Sequence, residues 1–524
     1  MRNKIFPSDF KGVLGVFVRC ETAKNRFNIL NYMTTDIKNW LPEFQAAAET
    51  DAELGNYFFT VPEINQLIIS KSWLVLGRKG TGKTAIYKYL ETADRDALKG
   101  YSVISLNFKD YPWPIHKLYK EVLSGELSAY QKSWKYLFFV KALSKLIEQQ
   151  EIDGKKLSKD MKWAKNYIEK IYGKPSPTIL EVLKSKIVRI DKIKAPGVDM
   201  GELSFDLGEL SFDKISEDKD LQDKLQSNAF TLLNYFENIF KENVAGYKFM
   251  IILDQLDENW LSGEIEEYSK VLINLLNVCR NISTDESINK FLKIVPFMRS
   301  DIYHSLRFND KNKLFQDSAI VISWNNESLD RMFYQRVKKY APTEFDLNEN
   351  KKSGVLFEVD FVRQGTPPFH FITRRSFFRP RDIIVYFNKI SKIHRINKTG
   401  LYTSNELYDA AVEASTNVYG EIIDEWSNQF PEIEKLLGVL QLISVETFKH
   451  SDFVTKYRQG FPGATEIDIN KHLNFLFDNS IIGQKKQGRW EYICSSPNLK
   501  MNIEKSYRTH QALKYRLQLT EGRS

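Results

Sequence analysis

Eight consecutive residues starting at Gly77 have the spacing of a phosphate-binding loop. The run Gly77-Arg-Lys-Gly-Thr-Gly-Lys83-Thr84 satisfies the G-x-x-x-x-G-K-[ST] pattern, also called Walker A, in full. In this pattern backbone N–H groups surround the β-phosphate, Lys83 bridges the β- and γ-phosphate oxygens, and Thr84 holds Mg²⁺. The sequence therefore predicts binding of ATP with Mg²⁺. The predicted cofactor-binding residues are Gly77, Arg78, Lys79, Gly80, Thr81, Gly82, Lys83, Thr84 and Ala85.

A second motif with acidic residues follows the apolar run Phe249 to Leu253. A buried strand that ends in Asp254 supplies a carboxylate beside the Mg²⁺ ion, so Asp254 joins Thr84 as a predicted metal ligand. Asp257 and Glu258 follow at the strand tip, where one of them could polarise the attacking water. The alternative is an ordinary buried strand followed by solvated acids. Asp254, Asp257 and Glu258 are therefore predicted catalytic residues.

Arginines are the third group of candidates, because a guanidinium can neutralise the charge that develops during phosphoryl transfer. Arg299 follows a predicted core strand, where it could sense the γ-phosphate. Arg379 and Arg381 lie where a helical lid would fold over the nucleotide. For each arginine the alternative is a structural salt bridge. The histidines are scattered without the spacing of metal ligands, so no further metal site is predicted.

The order of elements predicts how these residues are positioned. Strands alternate with helices from Trp73 to Ser323, which indicates an α/β fold with a parallel sheet and crossover connections. The long gap between Lys83 and Asp254 predicts a large, mostly helical insertion at about 110–245. The predicted domains are an N-terminal segment (1–56), a P-loop core (57–345), a helical lid (346–428) and a C-terminal domain (429–524). A single helix is expected from Asp36 to Phe59.

The last hundred residues follow the order of a winged helix-turn-helix domain. Three short helices precede two alternating strands around a Lys-Gln-Gly turn. In such domains the third helix and the wing contact nucleic acid. Lys485, Lys486 and Arg489 of the wing are therefore predicted to contact DNA or RNA. Winged helices that only dock proteins are the alternative.

Charge is distributed unevenly along the chain, whose net charge is only +8. Residues 371–400 and 481–524 are strongly basic, which favours a nucleic-acid or acidic-partner surface, or else solvated faces. Residues 199–224 are acidic and contain two copies of Gly-Glu-Leu-Ser-Phe-Asp, at 201–206 and 208–213. We interpret this duplication as a surface insertion that could contact a partner.

Composition excludes several classes of protein. The chain has 524 residues, of which 42% are hydrophobic and 27% charged, as in ordinary globular proteins. Its apolar runs are too short to span a membrane, and no secretory pattern opens it. Three cysteines fit neither a disulfide framework nor a zinc cluster. We expect a cytoplasmic location without membrane attachment.

The motifs together resemble a known division of P-loop proteins. Leu253-Asp-Gln-Leu-Asp-Glu258 is similar to the Asp-Gly-Leu-Asp-Glu motif of NACHT and KAP NTPases within the STAND/AAA+ division, with Gln255 where glycine is usual. The chain also resembles a little-characterised prokaryotic ATPase family often encoded beside phage-defence genes. This resemblance rests on the second motif together with the phosphate loop, Met298-Arg-Ser-Asp-Ile302, Trp324 with Arg336, and Arg379-Pro-Arg-Asp-Ile383. The tail resembles that of origin-recognition ATPases.

The resemblance implies an ATPase that acts as a molecular switch, plausible in phage defence, with slow, partner-stimulated hydrolysis. A protein effector encoded nearby is the expected partner. The sequence leaves the oligomeric state open, with a homo-oligomer as one candidate. Gln255 departs from the family pattern and puts the hydrolysis rate in doubt. An ATP-dependent DNA-binding initiator or regulator is the second hypothesis. A small-molecule kinase is disfavoured, because that chemistry needs neither a winged helix nor a long insertion.

Overall fold

The computed structural model describes residues 36–109, 126–184, 232–257, 265–397 and 400–521. Glu258 and the duplicated segment at 201–213 lie outside these ranges. Contacts divide the chain into two compact units. Thr60–Ser323 forms the first, which we call the P-loop unit. The C-terminal unit contains the described residues up to Phe59 together with those from Trp324 onwards. The four-domain division stays a prediction.

The P-loop unit is built on a parallel sheet. Five strands lie in the order β2-β3-β4-β1-β5, and every pairing between neighbours is parallel. The three central strands are buried almost throughout, as their apolar sequences predict. The expected α/β class, a P-loop core on a parallel sheet, is confirmed. The strands are β1 (Leu74–Gly77), β2 (Tyr101–Asn107), β3 (Lys248–Asp254), β4 (Leu292–Arg299) and β5 (Ala319–Val321).

Helices cover this sheet and form the insertion. Residues 232–243 are helical, and the remaining helices are α1 (Pro62–Ile69), α2 (Lys83–Thr92), α3 (Glu126–Ile152), α4 (Lys159–Tyr172), α5 (Ile179–Lys184), α6 (Ile265–Thr284), α7 (Ser300–Ser305) and α8 (Lys311–Ser318). Helix α3 is the centre of the insertion, where Trp134 and Phe138 are fully buried in the same core as the strands. The insertion is therefore continuous with the hydrophobic core of the sheet.

The C-terminal unit is mostly helical. Its helices are α9 (Asn326–Tyr340), α10 (Pro368–Thr373), α11 (Pro380–Asn397), α12 (Ser404–Trp426), α13 (Ile433–Ile443), α14 (His450–Gly460) and α15 (Glu466–Asp478). The long helices α11 and α12 pack against each other. Helix α12 begins with a capping box in which Thr403 and Glu406 exchange hydrogen bonds.

The helix expected from Asp36 to Phe59 is wrong. This stretch contains three separate 3₁₀ turns, at Ile37–Asn39, Ala48–Thr50 and Leu54–Asn56. Pro42 disfavours the α conformation in the residue before it and cannot donate a backbone hydrogen bond. Apolar spacing alone was therefore an insufficient criterion in this stretch.

The tail has the predicted three helices, α13 to α15, followed by a hairpin. Strands β7 (Ile482–Lys486) and β8 (Arg489–Glu491) pair antiparallel around Gln487 and Gly488, which both have positive φ. Two further strands, β6 (Thr447–Phe448) and β9 (Tyr507–Thr509), complete a sheet in the order β6-β9-β7-β8. The sequence reasoning missed these two because each has only two or three residues.

In the described part of the chain, no helix is both long enough and apolar enough to cross a membrane.

Candidate nucleotide site

The phosphate loop joins strand β1 to helix α2, as the motif requires. Gly77 ends the strand, and a Cβ atom there would lie 2.4 Å from the Thr81 hydroxyl oxygen, so no larger residue fits. Gly82 is the N-cap of α2 with φ +93°, a left-handed conformation that favours glycine. The loop therefore presents its backbone and the positive end of α2 to one point beyond the carboxyl edge of the sheet.

Lys83 is folded into this loop. Its buried ammonium donates hydrogen bonds to the carbonyl oxygens of Gly77 (3.0 Å) and Arg78 (3.1 Å). Burial lowers the pKa of Lys83, while the carboxylates of Asp257 and Asp254 oppose this shift. The cation is thus held at the loop, with Asp254 and Asp257 of the second motif near enough to act on it.

Asp254 and Thr84, the two predicted metal ligands, are in direct contact. The Thr84 hydroxyl donates to the carboxylate of Asp254, which also accepts from the backbone N–H of Gln255. The Oδ2 atom of Asp254 is buried without a hydrogen-bond partner among the described residues. Burial raises the pKa of Asp254 to about 6. The Thr84 hydroxyl oxygen and the Asp254 carboxylate oxygen that lacks a hydrogen-bond partner among the described residues are hard ligands, the type that Mg²⁺ prefers.

Gln255 has a backbone conformation that explains why glycine is usual at this point of the motif. Its φ is +60°, in the left-handed region, which costs a non-glycine residue roughly 1–2 kcal/mol. Its side chain is buried, and Oε1 has no hydrogen-bond partner among the described residues. The left-handed turn after β3 therefore carries a local cost in stability.

Arg299 lies beside the phosphate loop because β4 is the neighbour of β1. In the register of these strands, Arg299 pairs with Gly77. The guanidinium donates to both carboxylate oxygens of Asp301, from Nε (3.1 Å) and Nη2 (2.7 Å). Its Nε also lies 3.8 Å from an oxygen of Asp257. Arg299 is thus held between two carboxylates, close to Lys83.

Asp301 is the site residue to which the sequence reasoning gave no role. Burial favours its neutral form, but the guanidinium of Arg299 overcomes this effect and holds the pKa of Asp301 below its usual value. The carboxylate is therefore charged at neutral pH. The signal that could have found it is its spacing, two residues after an arginine that ends a core strand.

The structure thus brings together Lys83, Thr84, Asp254, Asp257 and Arg299 from the set of predicted site residues. Glu258 lies outside the described residues, and its role stays a prediction. The catalytic roles of the grouped residues are likewise predictions.

Arg379 and Arg381 belong to the C-terminal unit, where both form ion pairs. Arg379 is buried and bonded to Asp382 (3.1 Å) and Glu425 (3.3 Å). Burial disfavours its charge, but these carboxylates hold the pKa of Arg379 above its usual value. Arg381 lies 3.6 Å from Glu421. The contacts of Arg379 are those of a structural salt bridge, and a role for Arg381 in the nucleotide site stays a prediction.

The predicted nucleic-acid contacts lie at the tip of the hairpin. Lys485, Lys486 and Arg489 are exposed, and Lys486 is directly opposite Arg489 across the two strands. Lys485 also lies over the ring of Trp490, with its Nζ 5.6 Å from the centroid. Lys486 has a distant carboxylate neighbour, Glu491, at 4.0 Å. Lys486 and Arg489 therefore form one exposed basic pair, whereas Lys485 lies with Trp490 on the opposite face of the hairpin.

Comparisons with known proteins give one family match and several distant structural neighbours. Residues 327–422 match a family model described as the FunZ-associated C-terminal helical domain. This segment corresponds closely to the stretch from α9 to α12. The match is to that segment, and it assigns no activity to the chain. No curated protein matches the sequence.

The similar solved structures include proteins of the origin recognition complex. The Aeropyrum pernix ORC1 protein in complex with DNA is 11% identical, with 90% of this chain and 96% of that chain covered and a TM-score of 0.37. The Aeropyrum pernix ORC2 protein in ADPNP-ADP complexes is 12% identical, with the same coverage and a TM-score of 0.39. Drosophila ORC bound to DNA is 11% identical, with 91% and 94% covered and a TM-score of 0.29. Similarity at this level carries no functional assignment.

Proposed function

We propose that the protein is an ATP-binding and ATP-hydrolysing molecular switch, whose nucleotide state controls contact with a partner. The observation that carries this proposal is the group of charges at the phosphate loop. These charges lie at or just after the ends of strands β1, β3 and β4, which are adjacent in the sheet. They are Lys83 at the start of α2, Asp254 and Asp257 at and after the end of β3, Arg299 at the end of β4, and Asp301 at the start of α7. The carboxyl edge of such a sheet is where ligands bind in open α/β folds.

Binding of ATP depends first on Lys83 and the loop. When phosphate enters, the ammonium exchanges the carbonyl oxygens of Gly77 and Arg78 for phosphate oxygens. Thr84 and Asp254 would hold Mg²⁺, which neutralises charge on the phosphates when it is bound. Asp254 must be ionised to bind Mg²⁺. Burial favours the protonated carboxyl group, so Mg²⁺ and a proton compete for Asp254.

Hydrolysis then needs a group that orients water and a group that stabilises charge. Among the described carboxylates, Asp257 is suited to orient the water. It follows the strand that ends in Asp254, and its Oδ2 lies 3.8 Å from Nε of Arg299. Arg299 is suited to stabilise the charge that develops on the phosphates. Asp301 holds the guanidinium through two hydrogen bonds, so Arg299 is kept from closing fully on Asp257. Asp301 therefore acts as a positioning residue in this mechanism.

Two variants test these roles by separating binding from turnover. Lys83→Ala is expected to abolish ATP binding in calorimetry, because a charge at the phosphates is lost. Asp257→Ala is expected to retain ATP and lose turnover by about 10²-fold or more, the scale for a general base. Near wild-type ATP affinity in Lys83→Ala, with the fold intact by circular dichroism, would show that the site is wrong.

Asp301→Asn tests the positioning role. We expect turnover to fall by roughly 10-fold or more with little change in ATP affinity, because Arg299 can now pair with Asp257. Asp301→Glu should restore part of the activity. In a double-mutant cycle, Arg299→Ala should remove most of the effect of Asp301→Asn. Additive effects of the two substitutions would mean that Asp301 acts independently of Arg299.

A second candidate function is an ATP-dependent DNA-binding regulator, favoured by the exposed cations Lys485, Lys486 and Arg489. ATP turnover measured with and without duplex DNA separates the two functions. Stimulation by DNA favours the regulator, and stimulation only by a protein favours the switch. The winged-helix type of the tail rests on the order of its helices and strands. Assignment to the STAND/AAA+ division and a defence role with an effector rest on the resemblance. The genes beside this one test the last of these.

A further inference from the structure

Helix α4 of the insertion has an outer face made of cations and one amide. The fully exposed residues of this helix are Lys159, Lys162, Asn166 and Lys170. Their spacing of three and four residues places them in one row along the helix. Lys156, in the loop before α4, is also exposed. We call Lys156, Lys159, Lys162 and Lys170 the lysine stripe.

Carboxylates do not neutralise this stripe. In the described part of the chain, none of its four lysines forms an ion pair, whereas Lys165 at its edge pairs with Glu151. The two acids of α4 are engaged elsewhere. Asp160 accepts a hydrogen bond from the Tyr235 hydroxyl at 2.9 Å, and Glu169 lies 3.9 Å from Lys165. Among the described residues, the stripe is therefore a row of lysines without ion pairs.

Folding stability does not explain this arrangement. Lys159 is the first residue of α4, where the helix dipole disfavours a cation. Lys159 and Lys162 are like charges three residues apart, which also destabilises a helix. The helix is held by its opposite face, where Met161, Ala164 and Ile168 are buried. Lys159 and Lys162 thus oppose helix stability without contributing to the core, whereas Lys170 lies in the last turn, where the helix dipole favours a cation.

We infer that the lysine stripe binds the phosphodiester backbone of nucleic acid. From Lys159 to Lys170 the stripe is about 16 Å long, at 1.5 Å per residue, comparable with five nucleotides of a B-form strand at about 3.4 Å each. Amides such as Asn166 also donate to phosphate and sugar oxygens. A membrane surface is disfavoured, since an interfacial helix needs exposed apolar residues and α4 exposes none.

The third tail helix is a weaker candidate for this contact. Its fully exposed residues are Glu466, Ile467, Lys471, Asn474 and Asp478, so two acids accompany a single lysine. Glu466 is paired with Arg458, so this face, with Lys471 and Asp478, has no excess of positive charge to attract phosphate. Nucleic acid bound at the lysine stripe would contact the P-loop unit itself, which extends the proposed function by naming its partner and a second surface for it.

The test is a matched pair of variants of the full chain. In the stripe variant, Lys156, Lys159, Lys162 and Lys170 are changed to Gln, which keeps a good helix former. In the scattered variant, four other exposed lysines of the P-loop unit are changed to Gln: Lys71, Lys99, Lys290 and Lys313. Both variants lose the same net charge. Binding of a fluorescent 30-base-pair duplex is measured by anisotropy from about 50 to 200 mM salt.

The stripe variant is expected to reduce the log–log salt slope by about 0.9 per contact, up to roughly 3.6 units. The scattered variant should change it by less than about 1 unit. Equal loss in both variants would show that only net charge matters and would overturn the inference. So would absence of duplex binding by the intact protein at 50 mM salt, or equal competition by poly-glutamate. ATP affinity is measured in parallel and should be unchanged, so failure here is distinct from failure of the nucleotide site.

Discussion

Two basic segments of the C-terminal unit have nearly the same net charge in the sequence but opposite surroundings in the structure. Cations of α11, within residues 371–400, face acids. Arg379, Arg381 and Lys389 pair with Glu425, Glu421 and Glu413 of α12. Arg395, near the end of α11, pairs with Glu43.

In the described ranges, no helix supplies carboxylates to the cations of the tail hairpin. Lys485, Lys486 and Arg489 extend from short strands that continue beyond the core of the tail. Even in this tail, Arg508 and Lys514 are neutralised by the buried carboxylate of Glu446. A net charge counted along the chain therefore does not identify a binding surface. What matters is whether a packed neighbour supplies opposite charge.

The largest expected effect is on stability, at Arg379. Arg379→Ala would leave the buried carboxylates of Asp382 and Glu425 without their guanidinium, at a cost of about 3–5 kcal/mol in the free energy of unfolding. Urea unfolding measures this loss. Arg381→Ala is the control, because its pair with Glu421 is partly exposed and should contribute less than about 1 kcal/mol. Equal losses would remove the distinction between buried and exposed pairs.

Asp254 provides a third case, a buried carboxylate that forms no ion pair with the residues that the structure describes. Because burial raises its pKa to about 6, the nucleotide-free folded state binds more protons than the unfolded state between about pH 4 and 6. This contribution makes the unfolding free energy fall as pH rises through that window. Asp254→Asn should stabilise the nucleotide-free protein by about 1–2 kcal/mol at pH 7.5 and remove this pH dependence.

The same substitution should abolish Mg²⁺-dependent ATP binding, and wild-type affinity should fall below about pH 6 as the proton competes with Mg²⁺. Calorimetry across pH 5 to 8 measures both effects. An Asp254→Asn protein that binds Mg²⁺ and ATP normally would contradict the assignment of the ligand.

The hairpin should show the opposite behaviour to Arg379, with an effect on binding and little on stability. Replacing Lys485, Lys486 and Arg489 with Ala should lower the salt slope of DNA affinity by about 0.9 per contact, up to roughly 2.7 units. Unfolding should change by less than about 0.5 kcal/mol per residue, because the side chains are exposed. A matched variant of the paired cations Lys389 and Arg395 should leave the slope unchanged. An equal change of the salt slope in both variants would show that paired and unpaired cations contribute alike to DNA binding.

The smallest effect is expected for a single partly exposed pair. Lys389 and Glu413 lie 3.1 Å apart between α11 and α12. A double-mutant cycle with Ala at both positions should give a coupling of about 0.2–1 kcal/mol. The value should decrease in 1 M salt, where exposed charges are screened. A coupling above about 2 kcal/mol would show that this pair behaves like the buried ion pairs of Arg379.

Local patterns were sufficient for the phosphate loop and most elements. The motif from Gly77 to Thr84 fixes backbone torsions and donors within eight residues, so a linear pattern identifies it. The same holds for the hairpin, whose Gln487-Gly488 turn has positive φ at both positions. Local reasoning failed between Asp36 and Phe59, where apolar spacing outweighed the effect of Pro42 in our prediction.

The sequence by itself thus determined that a phosphate loop, a strand ending in Asp254 and a three-helix tail with a basic hairpin exist. Only the tertiary structure decided which charges meet. Arg299 reaches the phosphate loop because β4 pairs with β1, and Arg379 meets Glu425 because α11 packs on α12. These contacts join residues far apart in the chain, and the free energy of a charge depends on its burial and partners rather than on its sequence neighbours. For that reason the sequence identified the candidate charged residues, and the tertiary contacts decided which of them are paired and which are exposed.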